Sequence, residues 1–207
     1  MGKLVVTAFT SLDGVMQGPG GPDEDRDGGF SHGGWVVPSM DERVIELMTG
    51  VSRRAGALLL GRRTYESFAS TWPLAEADDP IGSKLNSMPK YVASRTLTSV
   101  DWQNSTLLDG DLDKAVRELK ETEPGEIQVH GSAGLVQDLL RHDLVDEFHV
   151  LVFPVLLGVG KRLFGEGTVP AGLRLVGSTT MGGVVIVHYA RAGGLAYGAM
   201  GPETGNW

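Results

Sequence analysis

The sequence predicts an α/β fold of three layers: a mainly parallel central sheet with helices on both faces, and antiparallel strands at its C-terminal end. Two observations carry this. Short, almost wholly apolar runs alternate with stretches of helical periodicity up to residue 153, and strands that are apolar on both faces belong to parallel sheets covered on both sides. Beyond that point the alternation stops. Two β-rich runs, residues 173–180 and 184–189, are separated only by Met181-Gly182-Gly183, which reads as a hairpin turn.

Residues 4–9 form the first apolar, β-branched run, ended by the turn sequence Ser11-Leu12-Asp13-Gly14. Residues 14–34 hold eight glycines and two prolines. That composition leaves little scope for regular structure and marks a long loop, expected to be a mobile lid over a site. From Met40 onward Val44, Ile45, Leu47, Met48 and Val51 fall at helical spacing, with Asp41 and Glu42 at the favourable end of the helix dipole. Strand 57–60 leads to a helix near 64–69, and strands Lys90–Ala93 and 105–108 precede a helix at 112–121. Strand 126–130 precedes a helix at 133–142, whose Leu135, Val136, Leu139 and Leu140 share one face. Strand Glu147–Phe153 opens the C-terminal group. One domain is expected over residues 1–190, followed by a Gly-rich tail over 191–207.

Acidic residues outnumber basic ones 26 to 18, a formal net charge of −8, which argues against nucleic acid as a partner. The sequence has no Cys, so disulfides, thiolate catalysis and Cys-ligated metal centres are excluded. His130, His142 and His149 show no metal-ligand spacing, and no metal is expected. The first residues are too weakly apolar for a signal peptide, and the longest apolar run, 150–157, falls far short of the roughly 20 residues that span a bilayer. The expectation is a cytoplasmic protein with no membrane partner.

Three strand-to-helix junctions suit phosphate groups, because helix N-termini beyond strand carboxyl ends present unpaired N–H groups and partial positive charge. The first is Gly61-Arg62-Arg63-Thr64. The second, Ser94-Arg95-Thr96, sets a guanidinium between two hydroxyls, a combination suited to a ribose 2′-phosphate. The third is Gly131-Ser132-Ala133-Gly134. Each has a plainer reading as a strand end, a polar loop or a helix cap, and none completes a G-x-G-x-x-G fingerprint.

Together with Pro154-Val155-Leu156-Leu157-Gly158 and Gly160-Lys161-Arg162-Leu163-Phe164, these motifs resemble, in order, the dihydrofolate reductase-like superfamily. The similarity is closest to the reductase domain of the bifunctional riboflavin-biosynthesis deaminase-reductase and its stand-alone bacterial relatives. The resemblance implies an NADPH-binding dihydrofolate reductase-like fold. In it Gly61, Arg62, Arg63 and Thr64, with Ser94, Arg95 and Thr96, would meet the adenosine phosphates. Gly131, Ser132, Ala133 and Gly134 would meet the pyrophosphate, and Asp13 would stand at the substrate or nicotinamide edge. It also implies a homodimer associated through C-terminal strands, to which the apolar run 150–157 would contribute.

Trp35-Val36-Val37-Pro38-Ser39-Met40-Asp41 keeps the Trp and Pro that precede the catalytic carboxylate of folate reductases. Asp41 lies one residue beyond the expected place, a turn of about 100° on a helix. The expected activity is NADPH-dependent reduction of a small heterocyclic substrate, of the 5-amino-6-(5-phosphoribosylamino)uracil reductase kind in riboflavin biosynthesis. Asp13 and Asp41 are the candidate catalytic acids; Trp35 would stack on the substrate, and Lys161 and Arg162 would hold a ribose phosphate. The plainer readings are a turn aspartate, a helix N-terminal acid, an apolar anchor and a solvated basic turn. Dihydrofolate reduction and non-catalytic NADP binding remain the alternatives.

Overall fold

The computed structural model describes residues 1–201 and 203–204. In chain order the elements are β1 (Lys3–Ser11), α1 (Glu42–Arg54), β2 (Ala55–Gly61), α2 (Arg62–Thr71), α3 (Pro80–Ser87), β3 (Lys90–Ala93) and β4 (Ser105–Leu107). There follow α4 (Leu112–Thr122), β5 (Glu126–Val129), α5 (Ala133–Arg141), β6 (Glu147–Phe153), β7 (Leu173–Met181) and β8 (Val184–Arg191). One eight-stranded sheet runs β4-β3-β2-β5-β1-β6-β8-β7. Every pairing from β4 to β6 is parallel, and β8 pairs antiparallel with both β6 and β7. The α/β architecture is therefore the expected one, with β1 at its centre.

Alternate residues of each strand serve opposite faces. Leu4, Val6 and Ala8 of β1 pack with Val116 and Leu119 of α4 and with Leu135, Val136 and Leu139 of α5. On the other face Leu151 and Phe153 pack with Val44 of α1 and with Phe30, Trp35 and Val184. A third cluster joins Leu58, Leu60 and Val92 to Tyr65 of α2 and Leu85 of α3. The apolar run 150–157, expected at a dimer contact, is divided: Pro154 and Leu156 are exposed, and its strand residues face inward. Val150, Leu151 and Phe153 are buried because β6 is a central strand.

The sequence reading missed α3, whose Asp79 caps the backbone N–H groups of Ile81 and Gly82 and whose Pro80 takes the first helical position. Its C-terminal end is closed by buried Lys90. The Lys90 ammonium donates to the carbonyls of Leu85 (2.7 Å), Asn86 (3.2 Å) and Met88 (2.8 Å) and lies 4.3 Å from the centre of a Trp102 ring. Burial pushes its pKa down to about 8. At the other end of the chain β8 continues through Arg191, one residue past the expected domain limit, and the Arg191 N–H donates to the Asp146 carbonyl. Of the expected tail, residues 202 and 205–207 lie outside the described residues. Among the described residues no helix is long and apolar enough to cross a membrane.

Candidate active site

Because the strands from β4 to β6 run parallel, their carboxyl ends open on one edge of the sheet. A cleft of about 1470 Å³ lies there. Two of the three sequence-selected junctions line it in full, Gly61 to Thr64 and Gly131 to Gly134; of the third, Ser94 and Arg95 do so and Thr96 does not. Ser94 Oγ accepts the N–H groups of Thr96 (3.1 Å) and Leu97 (3.0 Å), folding that segment into a tight turn of its own.

The helices differ in how they begin. The starts of α1, α3 and α4 are capped by the carboxylates of Asp41, Asp79 and Asp111, of which Asp111 lines the cleft. At the cleft α2 and α5 have no side-chain cap, so their first N–H groups remain available to a ligand. The two starts are joined: Thr64 Oγ1 lies 2.8 Å from Ser132 Oγ and accepts the Ser132 N–H at 3.1 Å. Gly61 is required by this closeness, since a Cβ there would lie 2.7 Å from Ser132 Cβ. Gly131 turns the chain at φ +73°, a conformation that disfavours side chains.

Four cations line the cleft: Arg62, Arg63, Arg95 and Lys161. Arg62 pairs with Glu66 at 3.2 Å. Arg63 meets Asp27 at 2.8 Å and Asp25 at 3.2 Å, and Lys161 meets the same two carboxylates at 3.1 Å and 2.6 Å. Arg63 first, then Lys161, holds the Asp27 carboxyl down to about 2. For Asp25 burial works the other way, but the Lys161 hydrogen bond and the two nearby cations outweigh it and lower its pKa. Among the described residues Arg95 has no carboxylate partner.

Several expected site residues are occupied elsewhere. Asp13 does not line the cleft: it accepts the Ser11 hydroxyl (2.6 Å) and the N–H groups of Leu157 (3.1 Å) and Gly158 (2.8 Å). These bonds, the Ser11 hydroxyl foremost, hold its carboxyl well below the usual range, so at neutral pH it has no proton to give. Arg162 is likewise outside the lining, 3.5 Å from Asp13. Asp41 caps α1 through the N–H groups of Arg43 and Val44 and pairs with the Arg43 guanidinium at 2.7 Å. Trp35 is buried, its indole N–H donating to the Gln17 carbonyl at 2.8 Å and its ring edge-on to Phe153, so no face is left for a substrate. Met40, one residue before Asp41, does line the cleft.

The loop of residues 14–34 is built around buried Gln17. Its Nε2 donates to the carbonyls of Asp25 (3.1 Å) and Asp27 (3.0 Å), and its Oε1 accepts the Lys161 N–H (3.0 Å). The loop therefore borders the cleft as a wall held by these hydrogen bonds, with one short 3-10 turn, Asp27–Gly29, as its regular structure.

Thr7, Ser52 and Gln128 escaped the sequence reading. The buried hydroxyls of Thr7 and Ser52 both line the cleft and have no hydrogen-bond partner among the described residues. Gln128 Nε2 donates to the Val51 carbonyl (2.8 Å) and to Glu126 (2.9 Å), which leaves its Oε1 facing His130 Nε2 at 3.0 Å. His130 Nε2 must then carry the proton, and Nδ1 is an acceptor. Burial, and secondarily the charge of His149, push the His130 pKa down to about 4, so the ring is neutral at pH 7. No local signal marks such pairings, because alternation along β5 gives only the face. Nearby, Glu147, His149 and His188 bring ligand-type atoms within 4.8 Å of one another, a cluster that sequence spacing did not show because β8 supplies His188. Lys3 at 2.6 Å and His188 at 2.9 Å both pair with Glu147.

The model of the RibD C-terminal domain family matches residues 2–187. The chain is 27% identical over 191 residues to the uncharacterized protein YyaP of Bacillus subtilis (strain 168), covering 90% of this chain and 94% of that one. Its fold matches a protein from Shewanella sp. PV-4 provisionally assigned to riboflavin biosynthesis, with TM-score 0.71 and 25% identity, covering 92% and 99% of the two chains. It also matches the diaminohydroxyphosphoribosylaminopyrimidine deaminase/5-amino-6-(5-phosphoribosylamino)uracil reductase of Thermotoga maritima, with TM-score 0.63 and 14% identity, over 92% of this chain and 57% of that one.

Proposed function

Because the chain belongs to the RibD C-terminal domain family, a family of reductases, we propose that it is an NADPH-dependent reductase of a small heterocyclic substrate, acting in the cytoplasm. The observation that carries the cofactor reading is the pair of uncapped helix starts at one cleft edge, tied by Thr64 and Ser132, with Arg95 as the lining cation that no carboxylate of the described residues neutralises. The N-terminal N–H groups of α5 and the Gly131 turn would hold the pyrophosphate, those of α2 the adenosine side, and Arg95 the 2′-phosphate. Arg63, balanced by Asp25 and Asp27, is not needed for this.

When bound, the nicotinamide supplies the hydride. The chain's own contribution is to orient the acceptor and exclude water. Thr7 and Ser52 offer unpartnered hydroxyls, and His130 a fixed acceptor nitrogen, to the polar edge of a heterocycle. Neither Asp13 nor Asp41 lines the cleft, and the proton that completes the reduction comes from solvent. Occupation of Asp41 by the α1 cap and Arg43 removes the positioned acid that dihydrofolate reduction would use.

The test is quenching of tryptophan fluorescence by NADPH, followed by NADPH oxidation with individual heterocycles. Quenching with turnover supports the reading. Quenching without turnover on any substrate leaves an NADP-binding protein, and no quenching at all overturns the cofactor assignment.

A further inference from the structure

Lys161 and Arg63 are the two cations that a phosphorylated substrate or cofactor would be expected to seek, and each already has two anionic partners. Asp25 and Asp27 bridge both, at 2.6 to 3.2 Å. The bridge is built. Buried Gln17 fixes the backbone on which both aspartates sit and the backbone of Lys161 as well, and the Asp27 N–H donates to Asp25 Oδ1 at 3.1 Å. Arg162, the other candidate for a substrate phosphate, sits against Asp13. Around the cleft eight carboxylate residues face four cations, so away from the helix starts the potential is acidic.

A phosphate dianion brought to Lys161 must either displace two charge-assisted bonds or rest against two carboxylates. An uncharged ring meets neither cost. We propose that the substrate of this site is an uncharged heterocycle without a phosphate group, and that Asp25 and Asp27 determine this by filling the place such a phosphate would take. The proposal rests on the reductase reading for what the cleft does, and it separates this chain from a reductase of phosphoribosyl substrates.

The probe is ribose 5-phosphate, titrated calorimetrically at low ionic strength into protein saturated with NADPH. The wild type is compared with Asp27→Asn, with Asp25→Asn/Asp27→Asn, and with the double variant carrying Lys161→Ala. The expected result is no binding to the wild type, a gain of about tenfold or more when the carboxylates become amides, and loss of that gain with Lys161→Ala. Wild-type binding that disappears with Lys161→Ala would show that the aspartates yield to phosphate and would overturn the proposal. So would the absence of any gain in the amide variants. Thermal melts establish that each variant folds, and Asp27→Asn alone leaves Asp25 in its Gln17 frame should the double variant fail to. If NADPH does not bind, the reductase reading fails by itself, and the same titration on cofactor-free protein still decides whether the aspartates exclude phosphate.

Discussion

Thr64 Oγ1 and Ser132 Oγ lie 2.8 Å apart, fastening the first turn of α2 to the N-cap of α5. Replacing Thr64 by Val removes this bond and leaves the Ser132 N–H without its acceptor. The expected loss is about 1–2 kcal/mol of stability in urea denaturation, with NADPH affinity lowered about tenfold in a fluorescence titration. Unchanged NADPH affinity in a folded Thr64→Val protein would separate these helix starts from the cofactor.

Arg95→Ala should weaken NADPH binding by about ten- to a hundredfold, a charge-assisted phosphate contact being worth about 1.5–3 kcal/mol. NADH binding should hardly change. Equal loss for both nucleotides in parallel titrations would remove Arg95 from the 2′-phosphate.

His130 is neutral in the folded protein, with a pKa near 4 against 6.5 for an ordinary imidazole. Between those values the unfolded chain binds a proton that the folded one does not, so stability rises with pH across this window. The contribution is fully present above pH 6.5 and is lost as pH falls toward 4, by up to about 3 kcal/mol. His130→Gln, whose amide can still donate to Gln128, should flatten that part of the profile when denaturation midpoints are compared at pH 7 and pH 5. A profile identical to the wild type would place the acid sensitivity elsewhere.

Gln17→Leu removes the amide that holds the carbonyls of Asp25 and Asp27 and the N–H of Lys161. A cost of about 2–3 kcal/mol is expected from the buried groups it leaves unpaired. Limited proteolysis should then cut between residues 14 and 34 well before it cuts the wild type. Equal cleavage rates would mean that Gln17 does not govern the order of this wall.

Self-association through the C-terminal strands, expected from the apolar run 150–157, has a further apolar surface to draw on. The outermost strand β7 leaves Leu173, Leu175 and Val176 exposed by 39–52%, and an edge strand with apolar side chains is suited to a second copy. Light scattering should give a dimer mass that Leu175→Lys reduces to the monomer. A wild-type monomer across a wide concentration range would dismiss the contact.

The strands and most helices were legible because parallel strands buried on both faces are nearly continuous apolar runs, as in Leu58 to Leu60. Helix α3 was not, since eight residues carry too little periodicity, although the Asp79-Pro80 cap was readable in retrospect. The phosphate-suited junctions could be read locally because a glycine, a hydroxyl and a helix start are neighbours in sequence. What those residues touch could not. Lys161 meets Asp25 across 136 positions and Asp13 meets Gly158 across 145, and nothing in the local pattern told a substrate cation from one already neutralised. Trp35 was misplaced for the same reason, its partner Gln17 lying outside its motif, whereas Asp41 follows its plainer reading as a helix N-terminal acid, capping α1 and pairing with neighbouring Arg43.

The central place of β1 has a bearing on how the chain is made. Lys3 waits for Glu126 on one side and Ser11 for Phe153 on the other. At ordinary synthesis rates the first strand is therefore out of the ribosome, apolar and without a neighbour, on the order of ten seconds before either flank exists. A strand made before both of its neighbours is among the last to be secured, and a fold dominated by such distant pairings is slow to form.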